Sequence, residues 1–146
     1  MNAKRRKWLW SGAVLAAALG ILAGCQSMAP SMAQQVTLSG GNEVPPVATP
    51  ATGTATVTIG DDRSVKAAVT VSGMTPTASH IHEAAAGANG PVIVPFTKTG
   101  DNTFAAPDGA KLTEAQYASY KAGNLYINVH SAKNPGGEIR AQLKGN

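Results

Sequence analysis

The 146-residue chain has a single cysteine, Cys25, so it has no internal disulfide to stabilise it. Aromatic residues make up only 5% of it and charged residues only 14%. Tyr117, Tyr120 and Tyr126 are too few and too scattered to form a carbohydrate platform. No basic stripe interleaved with aromatics is present, which argues against nucleic acid as a partner. No apolar run reaches the roughly 20 residues of a membrane span. The chain has no P-loop or dinucleotide fingerprint, and no G-x-S-x-G elbow for a serine nucleophile. No paired carboxylates mark a general acid and base. Histidine is also scarce, with three in the whole chain.

The N-terminus carries what charge asymmetry there is. Lys4-Arg5-Arg6-Lys7 is followed by an uncharged apolar stretch from Trp8 to Leu22 and then by Leu22-Ala23-Gly24-Cys25. This is the layout of a secretory signal ending in a lipobox. The only thiol of the chain stands where lipoprotein processing requires one. Residues 1–24 are therefore expected to be a lipoprotein signal peptide, and Cys25 the lipidated first residue of the processed chain. Gln26 rather than Asp follows it, which points to the outer membrane of a bacterial envelope. The membrane partner is then the lipid on Cys25, since acyl chains anchor by burying about 0.8 kcal/mol per CH₂. The full chain has 12 basic and 8 acidic residues, a formal charge of +4. Losing the four basic residues of the signal leaves eight of each, so the basic pI describes the signal and not the domain.

Residues 25–34, rich in Ser, Ala, Met and Gln, read as a tether. Residues 35–146 read as one domain. Short runs of alternating polar and apolar residues fall at 36–38, 54–59, 65–71, 79–83, 92–96, 125–129 and 138–143. They are separated by Gly, Pro, Asn and Asp turns. Thr113-Glu114-Ala115-Gln116 fits a capping box, which predicts a helix of about three turns ending at Gly123. The fold class expected is all-β: an antiparallel, Greek-key-like β-sandwich with one short helix.

The scarce histidines carry the chemistry. His80 and His82 are two apart on a predicted strand, so both imidazoles leave the same face. His130 ends another predicted strand, Leu125-Tyr126-Ile127-Asn128-Val129-His130. Three imidazoles with an open fourth position describe sites for copper or zinc. Copper is expected first, since it stands high in the affinity order for nitrogen sites, with zinc as the alternative. Met74 is a soft thioether near His80 in sequence, but it reads as a core residue. Asn128 shares a face with His130, and Glu138 and Arg140 share a face of the last strand. These three are the candidates for orienting a ligand imidazole. The simpler account of Glu138 and Arg140 is an ion pair on the sheet surface. Glu43 in Glu43-Val44-Pro45-Pro46 is expected to cap backbone N–H groups or to pair with Arg140.

Five motifs in order resemble the CHRD (chordin-type) domain family: Leu38-Ser39-Gly40-Gly41-Asn42-Glu43-Val44-Pro45-Pro46, His80-Ile81-His82, Gly87-Ala88-Asn89-Gly90-Pro91, residues 125–130 and residues 134–143. The resemblance implies a β-sandwich in a secreted or lipid-anchored protein and says little about activity. In the animal protein that gives the family its name, the domain belongs to an extracellular growth-factor antagonist. Ser79-His80-Ile81-His82-Glu83 is also similar to the copper-binding segment of copper–zinc superoxide dismutase, in which a third copper ligand ends a later strand. Residues 134–140 loosely resemble the loop whose arginine guides superoxide there. The bridging histidine and zinc subsite of that enzyme have no counterpart among three histidines.

Three readings follow. One is a metal-binding envelope lipoprotein. Another is an interaction module for an envelope protein, its histidines serving only the sheet. The third is a dismutase-like enzyme. The sequence assigns no catalytic residue and no oligomeric state.

Overall fold

The computed structural model describes residues 32–145, so the signal, Cys25 and most of the tether lie outside the described residues. Nine strands form one antiparallel sheet: β1 (Gln34–Ser39), β2 (Thr52–Ile59), β3 (Val65–Ser72), β4 (Pro76–Glu83), β5 (Val92–Pro95), β6 (Thr97–Gly100), β7 (Thr103–Ala105), β8 (Leu125–Ser131) and β9 (Ile139–Gln142). One helix, α1 (Glu114–Lys121), joins β7 to β8. Among the described residues, no helix is long and apolar enough to cross a membrane.

The strand order is β5-β4-β8-β9-β1-β2-β3-β7-β6. Four strands separate β3 from β4, so the connection between them crosses from one part of the sheet to the other, as in a Greek key. The two ends of the sheet are consecutive pieces of chain. β5 pairs with β4, the chain passes through Phe96, and β6 pairs with β7. Phe96 N–H donates to Ser79 O at 3.0 Å and Lys98 Nζ to Pro76 O at 3.0 Å, drawing the two ends together. The all-β, sandwich-like expectation holds, in a sheet curled nearly into a barrel.

Alternation builds the interior. Val57, Ile59 and Val69 face inward from β2 and β3, while their neighbours Thr54, Thr56 and Thr70 are exposed. Leu38, Ile81, Phe104 and Ile139 meet them from other strands. β8 differs, because all seven of its residues are buried. Leu125, Ile127 and Val129 join the core, so Tyr126, Asn128, His130 and Ser131 are buried under something else. That cover comes from the β4–β5 and β8–β9 loops and the segment after β1, and beneath it lies the polar face that holds the candidate site.

The capping box is present: Thr113 N–H donates to Gln116 Oε1 at 2.9 Å and Gln116 N–H to Thr113 Oγ1 at 3.2 Å. The helix is shorter than expected, with eight residues, just over two turns, before Ala122 and Gly123 close it. β6 and β7 were not legible as strands. β6 is exposed at all four positions and has no apolar side chain, and β7 has only three residues, so neither shows a readable alternation.

Candidate metal centre

The three histidines come from adjacent strands. β4 and β8 are antiparallel neighbours, with His80 opposite Asn128, His82 opposite Tyr126 and Ala78 opposite His130. Ile81 points into the core at 0% exposure, so His80 and His82 leave the opposite face together. His130 shares that face. One nitrogen from each imidazole lies within 4.8 Å of the other two, the arrangement of residues that could hold a metal ion. Nitrogens on a tetrahedral ion at zinc-like bond lengths stand about 3.4 Å apart, so an ion would draw the widest separations in and break the hydrogen bond between His80 and His130.

Backbone carbonyls orient two of the rings. A carbonyl only accepts, so His82 Nδ1–H donates to Gly90 O at 2.9 Å and His130 Nδ1–H donates to Pro135 O at 2.9 Å. In both rings Nε2 then carries the lone pair, which is how a metal-binding histidine is prepared. His130 Nε2 lies 2.9 Å from His80 Nδ1, so these two nitrogens share one proton. His82 Nε2 is buried without any hydrogen-bond partner. An unpaired buried acceptor of this kind fits a cation-binding site.

Burial pushes all three imidazoles toward the neutral form that a metal needs. His80 falls to about 4, through desolvation first and then repulsion from His130 and His82. Burial also lowers His82, partly offset by its bond to Gly90 O. His130 is lowered by burial against the opposing bond to Pro135 O.

A stability prediction follows for the metal-free protein. His80 titrates near 6.5 when unfolded and near 4 when folded, so the unfolded state binds more protons between those values. His80 therefore contributes stability that is present above pH 6.5 and is lost as pH falls toward 4. Glu43, raised chiefly by burial, opposes this trend. Comparison with His80→Gln isolates the histidine. The urea midpoint of the parent protein relative to the variant should rise from pH 4 to pH 6.5, and a flat difference would contradict the assignment.

Tyr126 is not among the site residues the sequence suggests, yet it is central. Its ring stacks on His82 at 4.8 Å between centroids and 9° between planes. The Arg140 guanidinium lies 3.4 Å over the other side of the ring, a desolvated cation–π contact of about 2 kcal/mol. Tyr126 also accepts the Gly90 N–H at 3.2 Å, tying it to the loop that holds His82. Its position two residues before Asn128 on the same strand face was the available signal.

The other sequence candidates divide. Asn128 sits on the site face, 1% exposed, and interacts with His82. Arg140 braces the site from Tyr126 and donates to Asn89 Oδ1 at 3.1 Å and Ala88 O at 2.8 Å. Glu138 lies elsewhere. It accepts from Thr49 Oγ1 at 2.6 Å and from Ser131 Oγ, and it lines a cleft with Met74 and Lys133. Glu138 and Arg140 form no ion pair, because Glu138 turns to Thr49 and Ser131 while Arg140 turns to Asn89 and Ala88. Met74 packs against the core.

A nearly closed antiparallel sheet with three histidines gathered beneath its loops defines a class of β domain that could hold a metal ion. The chain belongs to the CHRD domain family, whose model matches residues 34–143. No curated protein matches the chain. No solved structure matches it.

Proposed function

We propose that this protein is an envelope lipoprotein whose CHRD domain binds a metal ion, copper before zinc, through His80, His82 and His130. The observation that carries this reading is the convergence of three neutral imidazoles whose nitrogens lie within 4.8 Å of one another. Carbonyl bonds to His82 and His130 leave Nε2 of each ring as the donor. Copper is favoured by the affinity order for imidazole sites. The lipobox around Cys25 favours a lipid anchor in the outer membrane. The dismutase-like reading has less in its favour. Arg140 is 2% exposed, lies against Tyr126 and donates to Asn89, Ala88 and Gln142, so its guanidinium is held inside the fold rather than presented to an anionic substrate in solvent.

Titration with Cu(II), Cu(I) and Zn(II) tests the site. One ion per chain is expected, and failure of all three to bind would end the proposal. For the anchor, the Cys25→Ala chain should leave the membrane fraction and lose its acyl mass. An unchanged distribution would remove the lipoprotein part alone.

A further inference from the structure

Three buried polar atoms among the described residues lack a hydrogen-bond partner: His82 Nε2, Asn128 Oδ1 and Glu43 Oε1. They belong to one neighbourhood, because the Asn128 side chain interacts with both the Glu43 carboxylate and the His82 imidazole. All three residues are more than nine-tenths buried, at 7%, 1% and 5% exposure respectively. All three atoms are acceptors. The His82 proton is committed to Gly90 O at Nδ1, and the other two are carbonyl-type oxygens. His82 Nε2 and Asn128 Oδ1 are two buried acceptors with no donor between them, which is costly, and a cation is what would satisfy both.

The backbone fixes where Asn128 stands. It lies on β8 between Tyr126 and His130, opposite His80 on β4 and Arg140 on β9. Gly137 shows which way the amide points. A Cβ there would lie 2.5 Å from Glu43 Oε1 and 2.6 Å from Asn128 Nδ2, so these two atoms converge beneath a glycine that leaves them room. Asn128 Nδ2 facing the carboxylate is the favourable orientation, since the reverse would set two oxygens against each other. Oδ1 is then turned toward His82.

We propose that Asn128 Oδ1 is a fourth donor to the cation held by the three histidines, and that Glu43 is the positioning residue that fixes this amide and sets a negative charge beside the site. This rests on the three-histidine reading and adds a specificity to it. An amide oxygen is a hard donor, which suits Cu(II) and Zn(II), whereas Cu(I) prefers soft ligands. The centre therefore favours divalent ions over Cu(I).

The test uses the full chain, lipid included, in detergent. Asn128→Leu should weaken Zn(II) and Cu(II) binding about 10–100-fold, change Cu(I) binding far less, and shift the Cu(II) electron paramagnetic resonance spectrum. Glu43→Gln should move the divalent affinities and the spectrum in the same direction by less. Asn128→Asp, which keeps an oxygen in place and adds a negative charge, should tighten divalent binding and so raise the Zn(II)-to-Cu(I) affinity ratio. An unchanged Zn(II)-to-Cu(I) affinity ratio and an unchanged spectrum in Asn128→Leu would overturn the inference and leave the three-histidine site standing. If the leucine variant does not fold, Asn128→Asp decides: a raised ratio supports the donor role, and an unchanged ratio overturns it. Failure of the parent chain to bind any metal would overturn both readings.

Discussion

His82→Ala should lower the affinity for copper and zinc by more than about 100-fold, beyond the cost of losing a contact outside the ligand set. His82 is the most thoroughly prepared of the three ligands. Gly90 O fixes its tautomer, Tyr126 fixes its ring plane, and its free nitrogen is buried without a partner. Removing it leaves two imidazoles, those of His80 and His130, which already satisfy each other through one hydrogen bond. Competition with a chelator of known affinity measures the loss, and circular dichroism confirms that the fold survives. The apo-domain should lose only about 1–3 kcal/mol, chiefly because Gly90 O loses its donor. Parent-like affinity in a folded variant would place the ion elsewhere.

The second large effect is expected at a residue with no side chain. A Cβ on Gly90 would lie 1.8 Å from Glu83 O and 2.7 Å from its carbonyl carbon. Both are backbone atoms of the site strand, so neither can swing aside. Gly90→Ala must therefore displace the β4–β5 loop, and with it the carbonyl that holds His82 and the N–H that meets Tyr126. Expected are a loss of about 3 kcal/mol in folding stability and a drop in metal affinity of about 10–100-fold. Denaturant melts and the same competition assay measure the two. Near-parent values for both would mean that the loop is not what orients His82.

Much of this was legible in the sequence. Period-two patterning located the strands with strong alternation, and Thr113 with Gln116 located the helix start. His80 and His82 had to share a face once they lay on a strand. That β8 lies beside β4 was not legible, because pairing across about 50 residues depends on the whole sheet order. His130 could be proposed as a ligand but not placed. Tyr126 was not legible as a neighbour of the site, because its stack on His82 depends on the pairing of β4 with β8. For Glu138 only the spacing from Arg140 was legible, whereas its partners Thr49 and Ser131 were not, because they come from other parts of the chain. Gly90 was legible only as part of a turn motif, with no sign that it touches His82. Its role comes from a carbonyl, and every residue type has one.

The stack of His82, Tyr126 and Arg140 also gives the protein an optical property. Trp8 and Trp10 precede the described residues, within which tyrosine is the only strong fluorophore. Tyr117 and Tyr120 lie together on the helix, whereas Tyr126 lies flat against a ligand imidazole. Paramagnetic Cu(II) quenches emission at short range, and diamagnetic Zn(II) and Cu(I) do not. If copper is bound at the three histidines, Tyr126 emission should therefore fall with Cu(II) and hold with Zn(II), which a fluorescence titration reads directly.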